Sequence, residues 1–263
     1  MPEGHTIHRL ARDQNADLAH QVVRTAWVQD RFAEGAARLD GQVLDRVEAY
    51  GKHMFGWWAS GDVLHVHLGL FGKWRRSPSP PPDPIGEVRL RLIGPTATWD
   101  LAGAMTTRVV DPGERDRTVA ALGPDPLRRD AKPERLWATL QRRSTPIGTL
   151  LMDQSVVAGI GNVYRAELLF LCGIHPLRPG RAVTRDEFDA LWAETVRQLR
   201  LGVRRNRIVT RPPAELRTPI GRVSREDAVY VYKQSHCRWC GSELEVIPLA
   251  GRRTWACPVH QPR

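Results

Sequence analysis

The sequence predicts an α+β chain: an N-terminal antiparallel β-sandwich with a flanking N-terminal helix, followed by a helical domain and a cysteine-bearing β-hairpin. Three observations carry that expectation. Ile7, Leu10, Ala11 and Leu18 recur at helical spacing. From Val22 to about Ala102 the apolar period is two, the mark of half-buried strands. Beyond Asp111-Pro112-Gly113 the pattern turns helical, and it ends in a Cys/His cluster.

The first element opens with Met1-Pro2-Glu3-Gly4. Methionine is normally trimmed before proline, so the mature chain is expected to begin at Pro2 with a free secondary amine. One reading is a polar start ahead of a helix; the other is an amine poised as a covalent catalyst. A helix starting behind Pro2 and Glu3 would favour an anion there and depress the pKa of a nearby amine. A free α-amine titrates at roughly 7.7–8.0, so a small depression leaves much of it neutral at pH 7.

In the strand region Leu64, Val66 and Leu68 face one way and His65 and His67 the other. Val88, Leu90 and Leu92 likewise alternate with Arg89 and Arg91, and Gly-Asp and Gly-Pro turns separate the runs. This predicts an antiparallel sandwich or barrel. Residues 77–84, SPSPPPDP, are too proline-rich for a central strand and are expected to form a surface loop. Pro133 sits where a first-turn proline belongs, ahead of Leu136, Trp137 and Leu140. Thr145-Pro146 starts another helix, Gly159-Ile160-Gly161-Asn162 interrupts it, and residues 163–171 resume it. Thr184 and Glu187 form a capping box before Phe188, Leu191, Trp192, Val196 and Leu199. Residues 203–222, rich in Arg, Pro and Thr without periodicity, are expected to be a mobile basic loop.

At 263 residues the chain has room for one large domain or two of ordinary size. Thirty-nine Lys and Arg against 29 Asp and Glu leave a net charge of +10, which points to a polyanionic partner, most often nucleic acid. No run of eighteen apolar residues predicts a membrane span, and no signal peptide is recognisable. Four cysteines, three of them clustered near the C-terminus, suit a reducing compartment and a metal site better than disulfides. A cytoplasmic, nucleoid-associated protein is expected. Cys172, in an apolar helix, reads as a core residue.

Cys237-x2-Cys240, sixteen residues, then Cys257-x2-His260 is the spacing of a structural zinc site. Residues 243–256 between the pairs would form a hairpin turning at Ala250-Gly251. Its tip, Gly251-Arg252-Arg253, is either a phosphate-binding backbone beside two guanidinium groups or a solvated turn.

Taken together, the motifs resemble those of the formamidopyrimidine-DNA glycosylase and endonuclease VIII family, and more closely its endonuclease VIII-like branch. Along nearly the whole length they run Pro2-Glu3-Gly4, Gly51-Lys52, His67-Leu68-Gly69-Leu70-Phe71-Gly72, Leu122-Gly123-Pro124-Asp125-Pro126, Gly159-Ile160-Gly161-Asn162-Val163-Tyr164 and the terminal hairpin. The resemblance implies three parts: a catalytic β-sandwich over residues 1–115, a helix–two-turn–helix domain over 116–232 and a zinc finger over 233–263. It implies a monomeric base-excision-repair enzyme, a DNA glycosylase with abasic-site lyase activity, acting on oxidised bases and chiefly pyrimidines. The partner would be damaged DNA lying between the domains, with duplex, single-stranded and bubble substrates all open.

By the same resemblance Pro2 is the nucleophile at C1′ of a flipped nucleotide, Glu3 the general acid, and Lys52 a phosphate contact that assists proton transfer. Arg252 would hold the phosphate flanking the lesion and assist the second elimination, and Asn162 with Gly161 would grip another phosphate, though Asn162 also reads as an ordinary N-cap. Leu70 and Phe71 match the family's wedge, which fills the space a flipped base leaves; the competing reading is two core residues at a strand end. Cys237, Cys240, Cys257 and His260 would bind one structural Zn2+.

Three departures stand out. His260 replaces the more usual cysteine, His5-Thr6 replaces Pro-Glu, and residues 100–111 lack the Arg-x-Phe loop of the formamidopyrimidine branch. The rival expectation is a non-catalytic zinc-finger DNA-binding protein of the same fold.

Overall fold

Residues 4–18 fold as helix α1 (Gly4–Leu18), which buries Ile7, Ala11 and Leu18 against the first sheet. The structure, a computed structural model, describes residues 2–27 and 30–263; Met1 lies outside them. The chain divides into two compact units, Met1–Ala121 and Leu122–Arg263.

The first unit holds eight strands: β1 (Gln21–Ala26), β2 (Gln42–Tyr50), β3 (His53–Trp58), β4 (Val63–His67), β5 (Lys73–Pro78), β6 (Val88–Ile93), β7 (Ala97–Ala102) and β8 (Thr106–Val110). Their order is β5-β7-β6-β1-β2-β3-β4-β8, and every pairing is antiparallel. Strand β1 belongs to both halves, pairing with β2 through Gln21–Val23 and with β6 through Arg24–Ala26. The chain thus bends from one layer of the sandwich into the other within six residues. Helix α2 (Ala33–Leu39) follows β1, and α3 (Pro112–Ala120) ends the unit, its N-terminus capped by Asp111 Oδ1 accepting from Glu114 N at 2.8 Å. The main core joins Ile7 and Leu18 of α1 to Leu44, Met54, Trp58, Leu64, Val66, Leu90, Leu92, Trp99 and Leu101.

The expected proline-rich surface loop begins later than the sequence suggests. Ser77 and Pro78 still belong to β5, because β5 is an edge strand where the missing proline N–H breaks no ladder.

The second unit contains α4 (Pro133–Gln141), α5 (Ile147–Leu150), α6 (Asn162–Leu171), α7 (Arg185–Arg205) and the hairpin β9 (Glu245–Leu249)–β10 (Arg252–Ala256). Thr184 and Glu187 make the predicted capping box of α7. Gly123 has no room for a side chain: a Cβ there would lie 2.3 Å from the backbone of Val156, so the Leu-Gly-Pro-Asp-Pro turn requires glycine.

The expectation of a mobile loop over 203–222 is corrected at its start, which is helical. Helix α7 runs on to Arg205, where Asn206 ends it in the left-handed region. Beyond it, Arg207 donates to the carbonyls of Ile220 (3.0 Å), Gly221 (3.1 Å) and Val223 (2.5 Å), and Arg211 to those of Asp227 and Glu215. Val209, Val223, Ala228 and Val229 close a small apolar core beneath. Arg207 and Arg211, two of the arginines that made the stretch look like a solvated run, are bonded to nearby backbone carbonyls.

Candidate functional site

Pro2 and Glu3 stand at the N-terminus of α1, with Glu3 as its N-cap residue; the Glu3 carbonyl accepts from Thr6 N at 2.9 Å. Glu3 is fully buried and Pro2 half-buried. Gly4 and His5 are buried beside them, and burial pushes the His5 imidazole down to about 4.

Two pins fix how α1 lies on β2. His20 N donates to Leu44 O at 2.7 Å, and Asn15 brackets Val47, donating to its carbonyl and accepting from its N–H at 2.7 Å. The helix therefore runs antiparallel to the strand. From Asn15 back to Gly4 a helix rises about 16 Å; from Val47 to the end of β2 at Tyr50 a strand rises about 10 Å, and the turn carries Gly51 and Lys52 a little beyond it. Glu3 and the turn carrying Lys52 thus both lie toward the same end of β2. That turn is a two-residue hairpin, and Gly51, at φ 57°, takes the corner that a side chain disfavours.

Leu70 and Phe71 occupy the turn between β4 and β5. They are 51% and 85% exposed, which rules out the reading as core residues. Gly72 N donates to Leu68 O at 3.0 Å, and a Cβ on Gly72 would fall 2.2 Å from that oxygen. The tight fold-back of the chain at Gly72 is what projects the two apolar side chains. Met105, also exposed, stands beside Gly69 and extends the apolar tip; isolated between Ala104 and Thr106, it gave no periodic signal in the sequence.

In the second unit Asn162 is the first residue of α6 and Gly161 its N-cap, so Asn162 is not the ordinary N-cap that the sequence allowed. Its side chain is built into a buried junction. Asn162 Nδ2 donates to Arg253 O at 3.1 Å, and Arg165 donates to Asn162 Oδ1 at 2.5 Å. The same guanidinium reaches Arg253 O (3.1 Å), Leu249 O (3.2 Å) and Gly148 O (3.4 Å), and Arg165 is fully buried. It clamps the finger hairpin to the start of α6, leaving one amide N–H of Asn162 unspent. At the hairpin tip Ala250 (φ 54°) and Gly251 (φ 69°) form a two-residue turn with both residues in the left-handed region, presenting exposed Arg252 at the start of β10.

Glu167 is a second buried anchor. It accepts from Thr210 Oγ1 (2.5 Å) and from the N–H groups of Tyr230 (2.8 Å), Val231 (2.9 Å) and Tyr232 (2.8 Å). Both stems of the segment after α7 are thereby tied to one carboxyl. Burial raises its pKa, and the four donors oppose that rise. Neither Arg165 nor Glu167 figured among the expected site residues. The available signal was two charges inside the otherwise apolar run from Val163 to Leu171.

The ligand atoms of Cys237, Cys240, Cys257 and His260 all lie within 4.8 Å of one another, and Cys240 Sγ is 3.5 Å from Cys257 Sγ. Two thiolates on one tetrahedral zinc with bonds of about 2.3 Å would stand ~3.8 Å apart. His260 Nε2 is buried with no hydrogen-bond partner, an orphan that a metal would satisfy. The Ser242 hydroxyl beside Cys240 draws its thiol down to about 6, whereas burial pushes Cys237 up to about 11. The spacing of the ligand atoms and the orphaned His260 nitrogen fit a metal ion. Cys172, at the end of α6 and packed on the helical core, is pushed up to about 12 by burial.

These features define a two-unit protein: an N-terminal β-sandwich with Pro2 and Glu3 at a helix start, and a helical unit with a Cys3His hairpin. The sequence profile of the formamidopyrimidine-DNA glycosylase N-terminal domain matches residues 1–112, and that of the formamidopyrimidine-DNA glycosylase H2TH domain matches residues 122–212. Endonuclease 8 1 of Mycobacterium tuberculosis (strain ATCC 25618 / H37Rv) is 44% identical over 268 residues, covering 99% of this chain and 100% of that protein. Formamidopyrimidine-DNA glycosylase of Bacillus anthracis is 30% identical over 230 residues, 86% of this chain and 83% of that one. A solved complex between Lactococcus lactis Fpg and an abasic site containing DNA shares the fold at a TM-score of 0.82 and 21% identity, covering 99% and 100% of the two chains. The chain belongs to the formamidopyrimidine-DNA glycosylase and endonuclease VIII family.

Proposed function

We propose that this chain is a base-excision-repair DNA glycosylase that also cleaves abasic sites, with Pro2 as its nucleophile. The observation that supports the reading is that Pro2, the buried carboxyl of Glu3 and the Lys52 turn lie toward the same end of the sheet; with Met1 trimmed, Pro2 is the chain's terminal amine. The amine attacks C1′ of the damaged nucleotide, the base departs with a proton, and Glu3 protonates the ring oxygen as the sugar opens. A secondary amine gives an iminium with no N–H to lose, so it stays cationic and acidifies the C2′ proton. Loss of that proton expels the 3′ phosphate; a second elimination expels the 5′ phosphate, and water then releases Pro2. Lys52 assists the proton transfers.

In the second unit the spare N–H of Asn162, the backbone at Gly161 and the Arg252 guanidinium bind the DNA backbone. Leu70 and Phe71 fill the gap in the base stack. Zinc on Cys237, Cys240, Cys257 and His260 braces the finger hairpin; four protein ligands leave it no open position for a reacting water. The parts divide as residues 1–115, 116–232 and 233–263, and the enzyme acts as a monomer at the nucleoid. Kinship with an endonuclease 8 favours oxidised pyrimidines over 8-oxoguanine.

Borohydride should trap the protein covalently on abasic-site DNA, and Pro2→Gly or an N-terminal extension should abolish the crosslink while retaining DNA binding. A processed N-terminus that binds such DNA without trapping would instead identify a non-catalytic DNA-binding protein. Cleavage of a panel with thymine glycol, dihydrouracil and 8-oxoguanine, in duplex and single strands, sets the lesion preference.

A further inference from the structure

Three histidines cluster beside Lys52 on the face of the sheet turned away from the main core. His53 and His67 are direct cross-strand partners, as are Phe55 and His65. The His53 ring lies 5.1 Å from that of His65 and 4.8 Å from that of His67, and His65 stacks on Phe55 at 4.8 Å. His53 Nδ1 and His65 Nε2 are 2.9 Å apart and share one proton. Nδ1 of His65 and Nδ1 of His67 are buried with no hydrogen-bond partner, whereas Nε2 of His53 and of His67 are not among the buried orphans and carry no hydrogen bond, so they reach solvent. The charged groups around the cluster are Lys52 at the turn, Arg108 opposite His65 and paired with Glu114 at 2.9 Å, and Arg115, which lies over Phe55 and bonds Glu48 at 2.5 Å.

The shared proton has two possible seats. If His53 Nδ1 carried it, His65 would hold its own proton on Nδ1, an N–H buried without an acceptor, and orphaned N–H donors are rare in folded proteins. That arrangement would also put both rings in the Nδ1–H form, the less favoured tautomer of free neutral histidine. If His65 Nε2 carries it and donates to His53 Nδ1, both rings take the favoured form. His53 is then obliged to present its Nε2–H outward.

We propose that His53 is an uncharged hydrogen-bond donor to a DNA backbone phosphate beside Lys52, and that His65 is the positioning residue that locks its tautomer. The proposal rests on the DNA-repair reading above. Burial holds His53 down to about 3 and His65 to about 4, so both rings are neutral at pH 7. A donor of this kind adds a directional contact without adding charge. It differs in a measurable way from lysine, because a neutral donor releases no counterion.

The test is the salt dependence of binding to duplex DNA carrying a tetrahydrofuran abasic analogue. His53→Phe should weaken binding about tenfold, the worth of one hydrogen bond to a charged group, and leave the slope of log K against log salt unchanged. Lys52→Met should reduce the slope by about 0.9. His53→Gln, which restores an N–H donor, should recover most of the loss, and two-bond proton–nitrogen NMR of the wild-type rings should find the proton on Nε2 of both His53 and His65. His65→Phe should leave His53 exchanging between tautomers and cost about threefold in binding. Unchanged affinity for His53→Phe, a slope reduced as for lysine, or a proton on His53 Nδ1 would each overturn the proposal. If His53→Phe does not fold, the glutamine variant and the ring spectra decide. A wild-type protein that neither binds nor is trapped by abasic DNA would defeat the repair reading instead, and the ring spectra stand apart from it.

Discussion

Glu167 concentrates four hydrogen-bond donors on one buried carboxyl, three of them consecutive backbone N–H groups. Glu167→Gln preserves the shape but turns an amide NH2 toward N–H donors, converting an attraction into a clash of like dipoles. The expected cost is about 2–4 kcal/mol in urea unfolding, with faster hydrogen exchange at residues 230–232. A variant as stable as the wild type would mean that the carboxyl is protonated in the folded protein and acts as one donor and one acceptor. Arg165 is the matching cation, and its five N–H donors suit it to join carbonyls from three separate segments. Neither residue touches the proposed chemistry. Each fixes a backbone segment on which that chemistry relies.

Among the elements, the finger hairpin carries the sharpest prediction. If zinc braces it, one metal ion per chain should be measured, and chelation should lower the unfolding midpoint of the second unit by ~10 °C or more, leaving the transition of the first unit in place. Equal midpoints with and without chelator would reduce the cluster to a packing of thiols. Its spacing was legible in the sequence because metal ligation needs fixed short separations, and so were α1, the alternating strands and the capping box of α7, all of which follow local periodicity. The path of the segment after α7 was not legible. It follows from Arg207, Arg211 and Glu167 bonding backbone groups far along the chain, and no local pattern records such pairings. The end of β5 was missed for a related reason, since only the sheet order reveals Pro78 to be at an edge. At the candidate site the motif residues were readable one by one. The histidine pair behind Lys52 was hidden, because His53 and His65 meet only when β3 and β4 pair.

For the molecule as a whole, acid is the telling stress. His5, His53 and His65 titrate near 4, 3 and 4 in the folded protein, against an ordinary value of 6.5. Their folded values lie below the unfolded ones, so the unfolded chain takes up protons first as pH falls. Stability is therefore full above ~6.5 and declines between there and ~4, by up to about 1.4 kcal/mol per pH unit for each histidine. Asp17, Asp40, Glu187 and Glu245, held low chiefly by arginine partners and hydrogen bonds, extend the loss in the same direction at still lower pH. Urea unfolding at pH 7, 6 and 5 should show this decline, and His53→Phe should flatten it by one histidine's share. A flat profile would mean the rings are more solvated than their packing indicates.

The antiparallel seating of α1 on β2 has a further consequence for how such a chain can change. Helix and strand measure distance in different units, about 1.5 Å per residue for one and about 3.3 Å for the other. Between the Asn15–Val47 pin and the chain start they act like the two scales of a vernier. Deleting one residue of α1 would shift the amine by a small step and swing it about 100° around the helix axis. Deleting one residue of β2 would shift the Lys52 turn twice as far and flip the strand's side chains to the opposite face. No single insertion or deletion restores both distance and direction, so the lengths of these two stretches are bound to each other more tightly than their individual side chains are.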